Sequence, residues 1–163
     1  MIIKLKNKDK LIVDEFIFRC SIGKKGKTKN KYEGDLKTPC GKFGIGNLYY
    51  RKDRIKLPFT KIKKIVIKKN FAWCNDINSK KYNKKTTTSK NYSYEKLYRK
   101  DYKYDLFIPI KYNFNKIIPG KGSAIFFHLT KNYKPTAGCI AVSKKDFLII
   151  LKLINKKVQF LIS

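Results

Sequence analysis

The sequence lacks a long hydrophobic run. No stretch of eighteen consecutive apolar residues occurs among its 163 residues, so it predicts no membrane-spanning helix. The apolar stretch in residues 1–6 is too short for a secretory signal, and charged residues continue through 7–10. We therefore expect neither a transmembrane segment nor an export signal.

Acidic residues and arginine are also scarce. The chain has 40 basic and 11 acidic residues, which gives a net charge of +29 at pH 7. The lysines are spread along the whole chain, and arginine, the preferred reader of phosphates and guanine edges, is rare. The charge therefore has two explanations: compositional drift on a solvated surface, or selection by a polyanionic partner. The positive charge would allow nucleic-acid binding only of a non-specific, electrostatic kind. The four arginines are Arg19, Arg51, Arg54 and Arg99.

The four cysteines show no pattern typical of a metal site. No C-x-x-C pair and no histidine cluster accompanies them, so the sequence predicts no zinc site. Their even number permits disulfides, but the sequence does not determine any pairing. We expect Cys20 in the core at the end of a strand. The four are Cys20, Cys40, Cys74 and Cys139.

No linker or repeat divides the chain, so we expect one folded domain over residues 1–163. Its apolar content of 42% and aromatic content of 14% are enough for a core. Strand-like runs are separated by turn residues, which predicts a mainly β fold of the α+β class. We expect a long polar loop over residues 69–93 and a helical turn at Ser93–Tyr98. The predicted strands are Met1–Leu5, Leu11–Cys20, Phe43–Tyr50, Ile62–Ile67, Tyr104–Tyr112, Ser123–Leu129 and Lys156–Ile162.

One principal helix is predicted over Lys144–Asn155. Ser143 is a favourable N-cap, and Asp146 three residues later is typical of a capping box. Apolar residues then recur at helical spacing.

The only histidine lies close to one cysteine in the sequence. Cys139 follows His128 by eleven residues. A thiol is a weak nucleophile while protonated, and a neighbouring imidazole is its usual activator. Gly138 permits a sharp turn that directs backbone N–H groups toward a developing oxyanion. The pattern indicates a Cys/His acyl-transfer site, and the alternative is a buried cysteine near a core histidine.

Five ordered segments resemble the L,D-transpeptidase catalytic domain family (YkuD type), in the form that has T-x-G-C in place of S/T-H-G-C. The resemblance covers about residues 10–163. The segments are Gly-Ser-Ala-Ile-Phe-Phe-His at 122–128, Pro-Thr-Ala-Gly-Cys-Ile-Ala at 135–141, Glu-Gly-Asp-Leu-Lys-Thr-Pro-Cys-Gly-Lys-Phe at 33–43, Trp-Cys-Asn-Asp at 73–76 with Tyr-Asn at 82–83, and Tyr-Asp-Leu at 104–106 with Tyr-Asn at 112–113.

The resemblance implies a mixed β-sandwich with its principal helix directly after the catalytic cysteine. It also implies that Cys139 is the nucleophile, that His128 is the general base and acid, and that the Gly138 N–H contributes to an oxyanion hole. In this family a backbone carbonyl typically orients the histidine. Leu129, directly after His128, fits this pattern because its apolar side chain cannot hydrogen-bond to the imidazole. No cofactor is implied.

The implied substrates are peptidoglycan stem peptides, as donor and acceptor. The acyl-enzyme forms at the bond between an L-configured centre and a D-amino acid. The protein would then be a transferase of peptidoglycan synthesis, acting in cell-wall biogenesis or degradation and in cell shape. Two other activities stay open: L,D-carboxypeptidase or D-amino-acid exchange on the same acyl-enzyme, and, in a different class, a basic polyanion-binding protein.

The substrate-binding candidates share polar or aromatic character and positions in loops of the matching segments. For each, a structural role in the core or the loop is the alternative. The candidates are Trp73, Asn75, Asp76, Tyr82 and Thr136. The nearby Glu33, Asp35 and Thr38 are expected to form turns.

The sequence departs from the family's widely shared motif at two positions. Ala137 replaces the histidine before the Gly-Cys pair, and Ala141 replaces a polar residue after it. The contacts of those side chains therefore do not transfer to this chain, and the acceptor stays open. The substrate indicates the periplasm or cell envelope, whereas the lack of a visible signal leaves the cytoplasm open. Nothing in the sequence indicates an oligomeric state.

Overall fold

A computed structural model describes residues 1–163, and most of its regular structure is β. The elements, in chain order, are β1 (Ile2–Lys6), β2 (Lys10–Val13), β3 (Phe16–Arg19), β4 (Lys27–Thr28), β5 (Thr38–Pro39), β6 (Gly41–Gly44), β7 (Leu48–Tyr50), β8 (Lys64–Val66), β9 (Phe71–Cys74), β10 (Lys85–Thr87), β11 (Tyr94–Lys96), β12 (Leu106–Pro109), β13 (Phe126–Leu129), β14 (Ile140–Val142), α1 (Lys144–Leu153) and β15 (Gln159–Ile162).

Two five-stranded sheets form the main framework. Their strand orders are β3-β2-β1-β15-β6 and β14-β13-β12-β7-β8. Both sheets are mixed, because β1 pairs with β15, β13 with β14, and β7 with β8 in parallel. A three-stranded sheet, β10-β9-β11, and the short β4-β5 pair complete the fold. The prediction of a mainly β fold with one principal helix is confirmed.

Strand β13 divides the buried residues into two clusters. Successive side chains of a strand point to opposite faces. Phe127 and Leu129 therefore lie in the larger cluster, between the two main sheets and α1, whereas Phe126 lies in a smaller cluster on the other face. The Phe127 ring stacks on Phe147 of α1 with centroids 4.6 Å apart, and lies 5.4 Å from Phe160 of β15. His128 belongs to the same face of β13 as Phe126.

The helix begins where the sequence predicts. The Ser143 hydroxyl accepts a hydrogen bond from the Asp146 N–H at 3.1 Å. Only this half of the capping box is formed, since the Asp146 side chain makes no return bond. The helix ends at Leu153, two residues before the predicted end.

Four local predictions are wrong in detail. The predicted strand Phe43–Tyr50 is divided between β6 of the first sheet and β7 of the second. Residues 94–96 form strand β11, because pairing with β9 extends them, and not a helical turn. The predicted strand Leu11–Cys20 is broken into β2 and β3 by a turn in which Asp14 has a φ of 51°. The predicted loop 69–93 contains β9 and β10.

Candidate active site

The backbone brings the two halves of the predicted catalytic pair together. Cys139 directly precedes β14, whose Ala141 is the Cα partner of His128 on β13. Cys139 therefore lies beside Phe126, two residues along β13 from His128 and on the same face. Both side chains line one cavity of about 520 Å³.

The Cys139 thiol is buried and held by two backbone groups. Its residue is 8% exposed. The Sγ atom accepts from the Phe126 N–H and donates to the Ala124 carbonyl, each at 3.3 Å. These contacts fix the position of the sulfur without any charged partner.

The His128 imidazole is oriented by a backbone carbonyl. Its Nδ1 lies 2.9 Å from the Leu129 carbonyl oxygen. A carbonyl can only accept, so Nδ1 carries the proton, and Nε2 of the neutral ring is left as a proton acceptor. The Tyr104 ring packs edge-on against the imidazole with centroids 5.4 Å apart.

Burial keeps both groups uncharged in the resting site. Desolvation, together with the nearby Glu95 charge, raises the pKa of the Cys139 thiol to about 12. Desolvation lowers the pKa of His128 to about 4, against the opposing effect of the Leu129 hydrogen bond. At neutral pH the site therefore holds a thiol and a neutral imidazole, not a preformed ion pair.

A tight turn presents Cys139 to the cavity. Gly138 has a φ of 145°, and a Cβ there would meet the Lys37 carbonyl oxygen at 2.8 Å, so glycine is required. The Thr136 hydroxyl donates to the Cys139 carbonyl at 2.7 Å and accepts from the Gly138 N–H at 3.1 Å. The Cys139 N–H has no partner within the chain.

The substrate-binding candidates divide into two groups. Asn75 and Thr136 line the cavity, whereas Trp73, Asp76 and Tyr82 do not. Trp73 is 4% exposed, packs edge-on against Phe126 and donates from Nε1 to the Asn83 side chain. The Asp76 carboxylate accepts from the N–H groups of residues 78 and 93, which organises the loop.

Two carboxylates of the cavity wall were not predicted from the sequence as site residues. Glu33 was expected only in a turn, and Glu95 was not singled out, yet both line the cavity with Cys139. Asp35 and Thr38 do hold the turn: Asp35 is buried in an ion pair with Lys31 at 2.5 Å, and Thr38 accepts from the Gly23 N–H. No local signal separates Glu33 from its neighbours, because the cavity forms only in three dimensions.

The structure shows neither a cluster of side chains that could bind a metal ion nor a helix that could span a membrane. All four thiols are free, and no group of three or more His, Cys, Asp or Glu side chains is arranged to hold a metal ion. The only α-helix spans ten residues, and no helix meets the length and hydropathy needed to cross a bilayer.

Acidification is expected to destabilise the protein through His128. The folded pKa of about 4 lies below the ordinary 6.5, so the unfolded chain binds a proton that the folded protein does not. The stability that neutral His128 contributes is fully present above pH 6.5. It decreases as the pH falls from 6.5 through 4, and the total loss is roughly 3 kcal/mol. Urea unfolding at several pH values measures it. The slope should be shallower in His128→Gln, and equal slopes would contradict the assignment.

One of three comparisons with known proteins identifies a family. The chain matches the family described as the L,D-transpeptidase catalytic domain (YkuD) over residues 3–162. No curated protein and no solved structure matches it. Because the match spans nearly the whole chain, the protein belongs to the YkuD family of L,D-transpeptidase catalytic domains.

Proposed function

We propose that this protein is a cysteine acyltransferase that acts on peptidoglycan stem peptides, with Cys139 as nucleophile and His128 as general base. The family membership supports the L,D-transpeptidase class. The observation that carries the residue assignment is that the only imidazole of the chain and the Cys139 thiol share one wall of one cavity. Asn75 and Thr136 are the substrate-contact candidates that line this cavity, whereas Trp73 and Tyr82 support its wall from behind.

The first half of the reaction forms a thioester. As Sγ attacks the carbonyl carbon at the L-to-D junction, the thiol proton passes to Nε2 of His128. The carbonyl electrons move to oxygen and return as the C–N bond breaks. His128 then gives its proton to the leaving amine, and the D-amino acid departs.

The second half returns the free thiol. An incoming amine attacks the thioester carbon while Nε2 takes its proton, and the sulfur leaves with that proton restored. The product carries a new amide bond between two stems. If water replaces the amine, the same steps give hydrolysis, which is the L,D-carboxypeptidase alternative, and a free D-amino acid gives exchange.

Backbone donors of the turn stabilise the oxyanion in this proposal. The Cys139 N–H has no partner in the resting structure and is available at once. The Gly138 N–H already donates to Thr136 Oγ1 and would have to exchange that acceptor for the oxyanion. Such donors typically contribute a factor of about 10²–10³ to the rate.

A carbapenem is expected to acylate the intact protein at Cys139. Its strained amide carbonyl would trap the nucleophile as a stable thioester, so intact-mass spectrometry should show one added molecule and peptide mapping should place it on Cys139. Cys40→Ala is the matched control, because Cys40 is half-buried and lies outside the cavity. The control should be acylated like the wild type. A wild-type protein with no adduct, or with its adduct on another cysteine, would refute the proposal.

The proposed substrate implies that the protein acts in the periplasm or cell envelope. Fractionation of cells that produce the protein, followed by immunodetection, tests this location. Recovery only with cytoplasmic markers would restrict the substrate to precursors or recycled fragments.

A further inference from the structure

The connection between β7 and β8 presents two large apolar side chains to solvent. Leu57 is 63% exposed, and Phe59 is 75% exposed, the highest fraction of any large apolar residue in the chain. Pro58, which lies between them, is buried. Successive side chains of an extended segment point in opposite directions, so the inward position of Pro58 directs both neighbours outward. We call residues 56–61 the apolar loop.

The fold holds the apolar loop in place at both ends. Ile55 directly before it is 6% exposed, Ile62 directly after it is 3% exposed, and both belong to the larger buried cluster. Within the loop, the Thr60 hydroxyl accepts a hydrogen bond from the Ile62 N–H at 3.2 Å. The exposure of Leu57 and Phe59 is therefore a property of an anchored loop, and an exposed apolar patch with a polar rim is typical of an interaction site.

The rim of this patch is positively charged. Lys56 and Lys61 belong to the apolar loop, and Lys63 and Lys64 follow it directly. All four side chains are exposed, and none takes part in an ion pair of the structure. No aspartate or glutamate occurs between residues 54 and 75. The charge of these lysines is therefore not offset by the segment to which they belong.

The carboxylates next to the base of the loop are already neutralised by arginines. Asp53 accepts two hydrogen bonds from the Arg51 guanidinium, at 2.8 and 2.7 Å. Asp105 pairs with Arg54 at 3.1 Å. These carboxylates are committed to their own partners, which leaves the lysines of the rim for a partner outside the chain.

We propose that the apolar loop docks on an anionic lipid bilayer, with Leu57 and Phe59 entering the boundary of the acyl chains and the lysines of the rim contacting the headgroups. A bilayer surface offers a negative layer directly above hydrocarbon, which matches both features of the loop. Lysine stems are long enough to keep their ammonium groups at the headgroups while the apolar side chains insert. A nucleic acid offers phosphates but no apolar layer for an aliphatic side chain such as Leu57.

Docking at this loop would also orient the cavity that holds Cys139. The Arg54 guanidinium donates to the carbonyls of Lys100 and Asp101 at 2.9 and 2.8 Å. The residues that follow, 102–104, line the cavity. The base of the loop and this part of the cavity wall are therefore connected directly. The inference goes beyond the proposed function, since it does not depend on what Cys139 attacks.

Sedimentation with lipid vesicles tests the docking surface. We expect the protein to bind vesicles of equal parts phosphatidylcholine and phosphatidylglycerol, and the double variant Leu57→Ser/Phe59→Ser to bind them about tenfold to a hundredfold more weakly, because insertion of the two side chains is lost. The matched control is Ile77→Ser/Ile118→Ser, which removes two apolar residues that are 50% and 49% exposed in other loops. It should bind like the wild type, and thermal unfolding checks the fold of both variants.

Two outcomes of this experiment would overturn the proposal. Equal binding by the wild type and the Leu57→Ser/Phe59→Ser variant would mean that the net charge alone attracts the vesicles. A double variant that loses affinity for a DNA duplex but keeps its affinity for vesicles would assign the loop to nucleic acid.

Quenching of a tryptophan at position 59 tests insertion separately from electrostatic attachment. Vesicles of the same composition with brominated acyl chains should quench the emission of Phe59→Trp, because only a side chain that enters the hydrocarbon meets the bromine atoms. Trp73 is 4% exposed and gives a constant background in every variant. Ile77→Trp is the control and should show no quenching beyond that of the wild type. The same result for Phe59→Trp would refute insertion of the loop.

Discussion

Replacing Cys139 by serine is expected to lower the rate of acyl transfer by a factor on the order of 10⁴, as loss of a catalytic nucleophile typically does. A serine hydroxyl is far less acidic than a thiol, and the neutral His128 is too weak a base to activate it. The fold should persist, because the smaller hydroxyl can still donate to the Ala124 carbonyl. Release of D-alanine from a tetrapeptide stem measures the rate, and thermal unfolding checks the fold.

Cys40→Ser provides the matched control for this experiment. Cys40 is a free thiol outside the cavity, so its replacement should leave the rate close to that of the wild type. A Cys139→Ser protein that keeps a tenth or more of the wild-type rate would show that another group forms the acyl intermediate.

Replacing His128 by glutamine is expected to reduce kcat/KM by about 10²–10⁴-fold, the usual contribution of a general base. In the wild type, kcat/KM should fall as the pH drops through about 4, because protonated His128 cannot accept the thiol proton. This acidic limb lies below the ordinary 6.5 since burial disfavours the imidazolium. The glutamine variant should lack the limb.

The measurement is the pH profile of kcat/KM for both proteins over the range in which they stay folded. An acidic limb of unchanged position in His128→Gln would assign the titration to another group of the cavity, with Glu95 the first candidate. A limb near 6.5 in the wild type would mean that His128 is more hydrated in the working protein than its burial implies.

Local sequence signals predicted the elements that build the centre of the site. The run 123–129 predicted β13 because its residues are strongly β-forming, and its alternation places His128 and Phe126 on one face. The cap at Ser143 and the spacing of Phe147 and Leu151 predicted α1. The Gly-Cys pair predicted the turn, whose φ of 145° at Gly138 only glycine tolerates.

The cavity wall could not be predicted in the same way. Residues 94–96 are too short to show a period, and only pairing with β9 makes them a strand. Glu95 therefore gave no signal of facing Cys139. Trp73 lies in a segment that matches the family, but the same match does not distinguish a side chain that contacts substrate from one that packs behind Phe126.

The position of β15 has a consequence for the order in which the protein folds. This strand, at residues 159–162, lies between β1 and β6 in the interior of its sheet. The first sheet thus cannot close, and the core behind β13 cannot form, until residues 159–162 have left the ribosome. Folding of such a topology waits for contacts that are distant in sequence and is intrinsically slow. A nascent chain would present Cys139 and its strand edges unprotected until β15 is available, and it is most exposed to aggregation during this interval.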